Sequence, residues 1–325
     1  MPTATELSNR APQSAGRLRP LLSRLSIRWR GLFDAPNLTA RPSLVFLELA
    51  SPAGFLPKAA WGSVVASAPT NAKIILSGEP LLSPDFENVL LATDRRGLHV
   101  TVQTDGTRLE EFAPVIFGLD AAAVTLRLHG PEDVHNAAFN SRGAFACTVR
   151  GAIALKALSG STCRPRLIVE IPISADNHSR LVEAVECAVG MGADSTVIRH
   201  ARPGLLADRT AEPIDLAVLA SQIQKICDRW PVTLVRFAPD LIADELPRYY
   251  SSPRSFGPSR CFVPWKSITV SADSELCLCP SAPVGAYSGQ SLSAAFNSAP
   301  AQSFRHSVYR SLPRPCATCP RRFSE

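Results

Sequence analysis

Residues 73–103 read KIILSGEPLLSPDFENVLLATDRRGLHVTVQ. Two short apolar runs rich in β-branched residues, Lys73–Leu76 and Leu98–Gln103, flank a segment, Asp85–Arg96, whose apolar residues recur at helical spacing. Strand, helix, strand predicts a parallel pair joined by a crossover, since parallel strands cannot be closed by a tight turn and bury both faces. The alternation continues in both directions. Strands are predicted at Leu44–Leu49, Ala123–Leu128, Arg166–Ile171, Ser195–Ile198 and Val232–Phe237, with helical segments at Ala144–Leu158, Leu181–Met191 and Ile214–Trp230. The expected fold class is α/β, a partial (β/α) barrel, with its ligand site at the C-terminal ends of the strands.

The pattern stops near residue 247, where Pro247, Pro253, Gly257 and Pro258 predict a linker. Beyond it, Ser267–Ser271 and Glu275–Cys279 bracket Ala272-Asp273-Ser274 and predict a hairpin. At the other end, Leu18, Leu21, Leu22, Leu25, Trp29 and Leu32 share a helical stripe, with Arg17, Arg24 and Arg28 on other faces. This helix is expected to pack on the body of the protein; contact with a partner or an anionic membrane surface is the other reading. Three regions result: a basic, partly disordered N-terminal segment at 1–42, the barrel at 43–246 and a cysteine-bearing module at 247–325.

Composition narrows the function. The chain has 325 residues, and no run approaches the length of apolar sequence a membrane-spanning helix needs. The start, MPTATELSNR, lacks the apolar core of a secretory signal, so a cytoplasmic protein with reduced thiols is expected. The net charge of +6 lies largely in two tails, and aromatic residues are only 7%, which argues against nucleic acid as a partner.

The cysteines are distributed unevenly. None occurs among the first 146 residues, while Cys261, Cys277, Cys279, Cys316 and Cys319 fall close together. The tight Cys316–Cys319 pair suits either a zinc ribbon or an iron–sulfur centre, but zinc ribbons usually need two close pairs. Packing as small buried hydrophobes is the remaining alternative for some of the five. Cys147, Cys163, Cys187 and Cys227 are scattered and expected to be core or surface thiols, and His135 and His200 structural. No phosphate loop, nucleophile elbow or His-Glu-x-x-His helix occurs.

RCFVPWKSITVSADSELCLCP at 260–280 and GAYSGQSLSAAFNSAPAQSFRHSVYRSLPRPCATCPRR at 285–322 resemble the C-terminal SPASM or Twitch module of radical S-adenosylmethionine enzymes. Cys261, Pro264, Trp265, Asp273, Cys279, Gly289, Leu292, Phe296, Asn297, Ser298, Arg305, Cys316 and Cys319 fall on the module's motif, with Ser274 replacing its turn glycine. The resemblance implies one [4Fe–4S] cluster on Cys261, Cys279, Cys316 and Cys319. Cys277 is expected on the opposite strand face as a spare or packing thiol. With six residues left after Cys319, no second auxiliary cluster is expected.

The likeness extends over about residues 43–325. Ser77-Gly78-Glu79-Pro80 is similar to the family's Gly-Gly-Glu-Pro turn, which receives the amino group of the methionine moiety. Thr104-Asp105-Gly106 is similar to its Thr-Asn-Gly, and RLIVEIPISADN to its fifth strand, ending in Asn177. The resemblance also exposes departures. The family's Cys-x-x-x-Cys-x-x-Cys aligns with Ala53, Pro57 and Ala60, and a cofactor-contacting Ser and an Asp appear as Arg127 and His129.

The chain is therefore expected to be a pseudoenzyme for S-adenosylmethionine cleavage. It would serve as an accessory, ligand-binding or electron-transfer partner to an intact homologue or a peptide or protein substrate. Catalysis with the barrel pocket and the auxiliary cluster is the alternative. The pocket residues expected to matter are Gly78, Glu79, Pro80, Arg127 and His129. Glu79 is read equally as a pocket carboxylate or a cap for the helix after it. Arg127 and His129 would share a strand face, to grip an acidic ligand or, by preference for Arg127, to neutralise Glu79 or Asp105.

Overall fold

The computed structural model describes residues 41–50, 58–160, 162, 164–199, 214–238, 261–279, 282–313, 316 and 319. The predicted N-terminal helix, the linker near residue 247, Ala53, Pro57, Cys163 and His200 lie outside them.

Seven strands alternate with helices in chain order. They are β1 (Leu44–Glu48), β2 (Lys73–Ser77), β3 (His99–Thr104), β4 (Ala123–Arg127), β5 (Arg166–Pro172), β6 (Ser195–Arg199) and β7 (Val235–Ala238). The helices are α1 (Lys58–Ser67), α2 (Phe86–Asp94), α3 (Leu109–Gly118), α4 (Glu132–Ala138), α5 (Ala144–Ser159), α6 (Leu181–Gly190) and α7 (Leu216–Arg229). Strands β1 to β7 are parallel and neighbour one another in sequence order, as expected when each crossover returns to the adjacent position.

The two faces of the sheet divide the chemistry. Val45, Leu47, Ile74, Leu76, Val102, Val124, Leu126, Val169 and Ile198 form one face, and all are fully covered. They pack with Trp61 and Val64 of α1, Phe86 and Leu90 of α2 and Leu181 and Val185 of α6 in one apolar core. Each such side chain contributes roughly 1.5–3 kcal/mol through burial. The residues between them, including Glu48, Gln103, Arg127 and Glu170, therefore face the barrel interior.

The C-terminal residues extend this sheet. Strand β8 (Ser267–Ser271) pairs in parallel with β1, Leu44 opposite Ser267 and Glu48 opposite Ser271. Strands β9 (Glu275–Cys279) and β10 (Ala282–Ala286) follow antiparallel, giving ten strands in the order β10-β9-β8-β1-β2-β3-β4-β5-β6-β7. Helices α8 (Leu292–Phe296) and α9 (Ala299–Arg310) complete the described part of the module.

The hairpin strands have the predicted bounds, with Ser274 at φ 71° in the turn. Strand β7 begins three residues later than predicted. Pro231 O accepts Leu234 N–H at 2.9 Å and Val235 N–H at 3.0 Å, closing a turn that leaves Val232 exposed.

Candidate metal centre and barrel mouth

Cys261 precedes a short 3-10 turn, Val263–Trp265, which leads into β8. Cys279 ends β9. Cys316 and Cys319 follow α9, with Cys319 N–H donating to Cys316 O at 3.2 Å, a turn that draws the pair together. Cys261 and Cys316 are buried, Cys279 and Cys319 half-buried. Burial pushes the Cys261 thiol up to about 12, and repulsion from Cys319, Cys316 and Cys279 adds to the rise while Val263 N–H opposes it.

These four thiols thus share one neighbourhood. Among the described residues, no three His, Cys, Asp or Glu close around a single metal-ion position. A cuboidal cluster takes one thiolate at each of four iron corners, a wider ring than one ion requires. An all-thiol set with two buried members fits such a cluster.

Cys277 requires a correction. Residues two apart on a strand share a face, so Cys277 and Cys279 point the same way. The Cys277 thiol donates to Glu275 Oε2 at 3.5 Å, on that face. What separates it from the four is its surroundings. Burial pushes it up to about 12, followed by Glu275 and Glu48, with Cys279 as the only neighbouring cysteine that acts on it.

Arg305 of α9 lies beside the 3-10 turn and was named in the sequence only as a motif residue. Its Nε donates to Pro264 O at 2.8 Å, and its guanidinium sits 4.1 Å from the centre of the Phe296 ring. Only 1% of it is exposed, and among the described residues neither terminal nitrogen has a hydrogen-bond partner. Burial lowers its pKa to about 10.

At the other end of the sheet, Gly78 and Glu79 both adopt left-handed backbone, φ 68° and 51°. A Cβ on Gly78 would stand 3.1 Å from Ala50 O, so glycine is needed there. Glu79, not being glycine, carries backbone strain at a turn, as functional turns often do. Its carboxylate accepts Asp105 N–H at 2.9 Å and Thr104 Oγ1–H at 3.2 Å. It makes no cap to the Pro80–Leu82 turn, so the helix-cap reading is corrected: it bridges β2 and β3. Burial raises the Glu79 pKa, with the Asp105 N–H bond and the Arg127 charge opposing.

Arg127 and His129 are not brought together as a pair. Arg127 is exposed and, among the described residues, forms no ion pair with Glu79 or Asp105 within 4.0 Å; its charge reaches Glu79 from a distance. The His129 ring instead lies edge-on to Phe139, centroids 5.3 Å apart. Burial lowers its pKa, and Arg127 lowers it further.

His135 is structural, as expected. Its Nδ1 accepts His129 N–H at 3.2 Å, so Nε2 carries the proton toward Thr148 Oγ1 at 3.3 Å. Thr148 Oγ1–H in turn donates to Asp105 O. Asn177, fully buried, donates from Nδ2 to His129 O and Pro172 O, both at 2.7 Å, while its Oδ1 accepts Ser174 N–H. These cross-links lock the loops after β3, β4 and β5, and no local sequence signal marks them.

Residues 261–320 match the model of the SPASM family, an iron–sulfur cluster-binding domain. No curated protein matches the chain in sequence. Among solved structures, Streptococcus suis SuiB bound to S-adenosylmethionine is similar at 14% identity and TM-score 0.60, covering 99% of this chain and 77% of that one. SuiB bound to its precursor peptide SuiA is similar at 11% identity and TM-score 0.66, covering 99% and 78%. anSMEcpe with bound AdoMet and the Kp18Cys peptide is similar at 14% identity and TM-score 0.61, covering 86% of each chain. At such identities the likeness concerns the fold. The chain thus carries a SPASM iron–sulfur domain on the α/β fold of the radical S-adenosylmethionine SPASM enzymes.

Proposed function

We propose that this protein holds one [4Fe–4S] cluster on Cys261, Cys279, Cys316 and Cys319 and does not itself cleave S-adenosylmethionine. It acts as a pseudoenzyme partner in peptide maturation, binding peptide in the barrel and serving an intact homologue as scaffold or electron relay. The observation that carries this reading is the segment after β1, where Ala53, Pro57 and Ala60 stand at the three ligand positions and no cysteine precedes Cys147. Neither a methyl group nor a proline ring ligates iron, so a cluster at that place has no protein ligands there. That SuiB and anSMEcpe bind peptides supports the choice of ligand class.

When bound, the cluster supplies one-electron chemistry. The chain's own contribution is to bury and orient it. The Val263–Trp265 turn, pinned through Pro264 O by Arg305, holds the residues after Cys261 in place. Val263 N–H stabilises charge on the Cys261 sulfur.

The test is iron and sulfide content after anaerobic reconstitution, together with an assay for 5′-deoxyadenosine. About four iron per chain and no 5′-deoxyadenosine are expected. About eight iron, or 5′-deoxyadenosine made by the purified protein alone, would overturn the reading. Zinc in place of iron would make the centre structural.

A second reading is favoured by the strained turn at Gly78 and Glu79. A barrel that kept this turn and its hydrogen bonds to β3 retains a preorganised pocket for a metabolite, with the cluster as relay or Lewis acid. Glutamine at Glu79 would then abolish turnover of that metabolite; unchanged turnover would remove the idea.

A further inference from the structure

The face of the sheet that looks into the barrel is not electrostatically neutral. Pairing register places Arg127 of β4, Glu170 of β5, Val197 of β6 and Arg236 of β7 in one row across four parallel strands. Side chains at matched positions of parallel strands point to the same face. That face is the interior one, because the alternate residues Leu126, Val169, Ile198 and Val235 belong to the core beneath the helices. One step nearer the mouth, opposite Pro172, stands Arg199, whose Nε forms an ion pair with Glu170.

The charges do not balance locally. The row and its neighbour carry three arginines and one carboxylate, Glu170, which Arg199 engages; Glu79 feels Arg127 only from a distance. Among the described residues, neither Arg127 nor Arg236 forms an ion pair, and both are exposed. Adjacent strands are about 4.8 Å apart, so the row spans roughly 14 Å, with the apolar Val197 between its two outer parts. Three guanidinium groups so placed offer planar, forked donors suited to carboxylates. Besides Glu170, the interior face carries Glu48 and Glu275, which lie at the other side of the sheet, near Cys277.

We infer that Arg127, Arg199 and Arg236 form a subsite for the carboxylates of an acidic peptide segment, received at the C-terminal ends of β4 and β6 and the first half of β7. The inference rests on the peptide-binding reading above and specifies which part of the barrel does the binding. An extended peptide presents successive same-side carboxylates about 7 Å apart, so two or three of them match the row. Glu170 holds Arg199 in the row and keeps the subsite from being uniformly repulsive before the ligand arrives. Arg127 stands where the family's cofactor-contacting Ser falls in the alignment, so the substitution that disfavours a sulfonium is the one that favours an anion.

The experiment is fluorescence anisotropy with the reconstituted full chain and two labelled peptides, one bearing spaced glutamates and one with glutamine in their place. Preferential binding of the glutamate peptide is expected, weakening as salt is raised. Arg127→Gln and Arg236→Gln should each weaken it about five- to tenfold, and the double variant more. Arg310→Gln, on the outer helix α9, should change nothing. Both arginines of the row are exposed, and unchanged melting and iron content will confirm that the variants fold. Equal affinity for both peptides, unaltered in the double variant, would overturn the subsite and leave peptide binding standing. Binding of neither peptide would overturn both, and arginine-dependent binding of succinate alone would replace the peptide with a small dicarboxylate.

Discussion

The segment after β1 and the C-terminal module invite comparison, because the family likeness places iron at both. In the first, the likeness aligns the family's three cysteines with Ala53, Pro57 and Ala60, none of which offers a ligand. In the second, the four aligned positions are cysteines, beside a buried arginine, a pinned 3-10 turn and a CxxC turn. On the proposed reading, the barrel closes without a metal of its own. Its strands are held by an apolar face of fully covered residues, and its mouth by Glu79, Thr148, His135 and Asn177. The module joins the same core through Ile268, Val270, Leu276, Leu278 and Phe296, and the proposed reading adds its four thiols to that support.

Cys316→Ala with Cys319→Ala should remove essentially all bound iron and the brown colour, while the barrel keeps its far-ultraviolet signal; retained iron would mean that the metal lies elsewhere. Arg305→Ala should cost about 3 kcal/mol by deleting a buried side chain and freeing Pro264 O. It should also lower iron retention, and thermal melting with metal analysis checks both.

In the barrel, Gly106→Ala is expected to cost about 2–3 kcal/mol. Gly106 has φ 87°, and its new Cβ would stand 2.4 Å from Leu126 Cδ1. Denaturant unfolding should show this loss with iron content unchanged, because the lesion is remote from the module.

Acid should act on the barrel in particular. Burial lowers His135 to about 4 from its ordinary value of 6.5. The folded state binds its proton less readily than the unfolded state does. Stability is therefore full above the unfolded value and falls as pH drops from about 6.5 to 4, by roughly 2–3 kcal/mol. His135→Gln, measured by denaturant unfolding across that range, should flatten the profile. Cys277→Ser should have the least effect, leaving iron at the wild-type level; a loss would place Cys277 among the ligands.

How much of this was legible in the sequence depended on the range of the interaction. Strands β1 to β6 lie within one residue of their predicted bounds, because β-branched runs and helical periods are local. Strand β7 was misread at its start because the turn at Pro231 is made by backbone hydrogen bonds that composition does not mark. Cys277 was misplaced although strand period alone puts it beside Cys279. The ion-pair expectation for Arg127 failed because Glu79 satisfies itself on Asp105 N–H and Thr104.

The sequence by itself determined the α/β alternation, the hairpin, the cluster of five cysteines from Cys261 on and the absence of any before Cys147, since each follows from residue type and spacing. Tertiary structure alone decided that β8 joins β1 and continues the barrel sheet into the cysteine module. It also decided that Arg127, Glu170 and Arg236 share a row, and that Arg305 closes over Pro264. Those contacts join residues from 27 to more than 200 positions apart. Their partners are chosen by sheet register and packing, which no local pattern encodes.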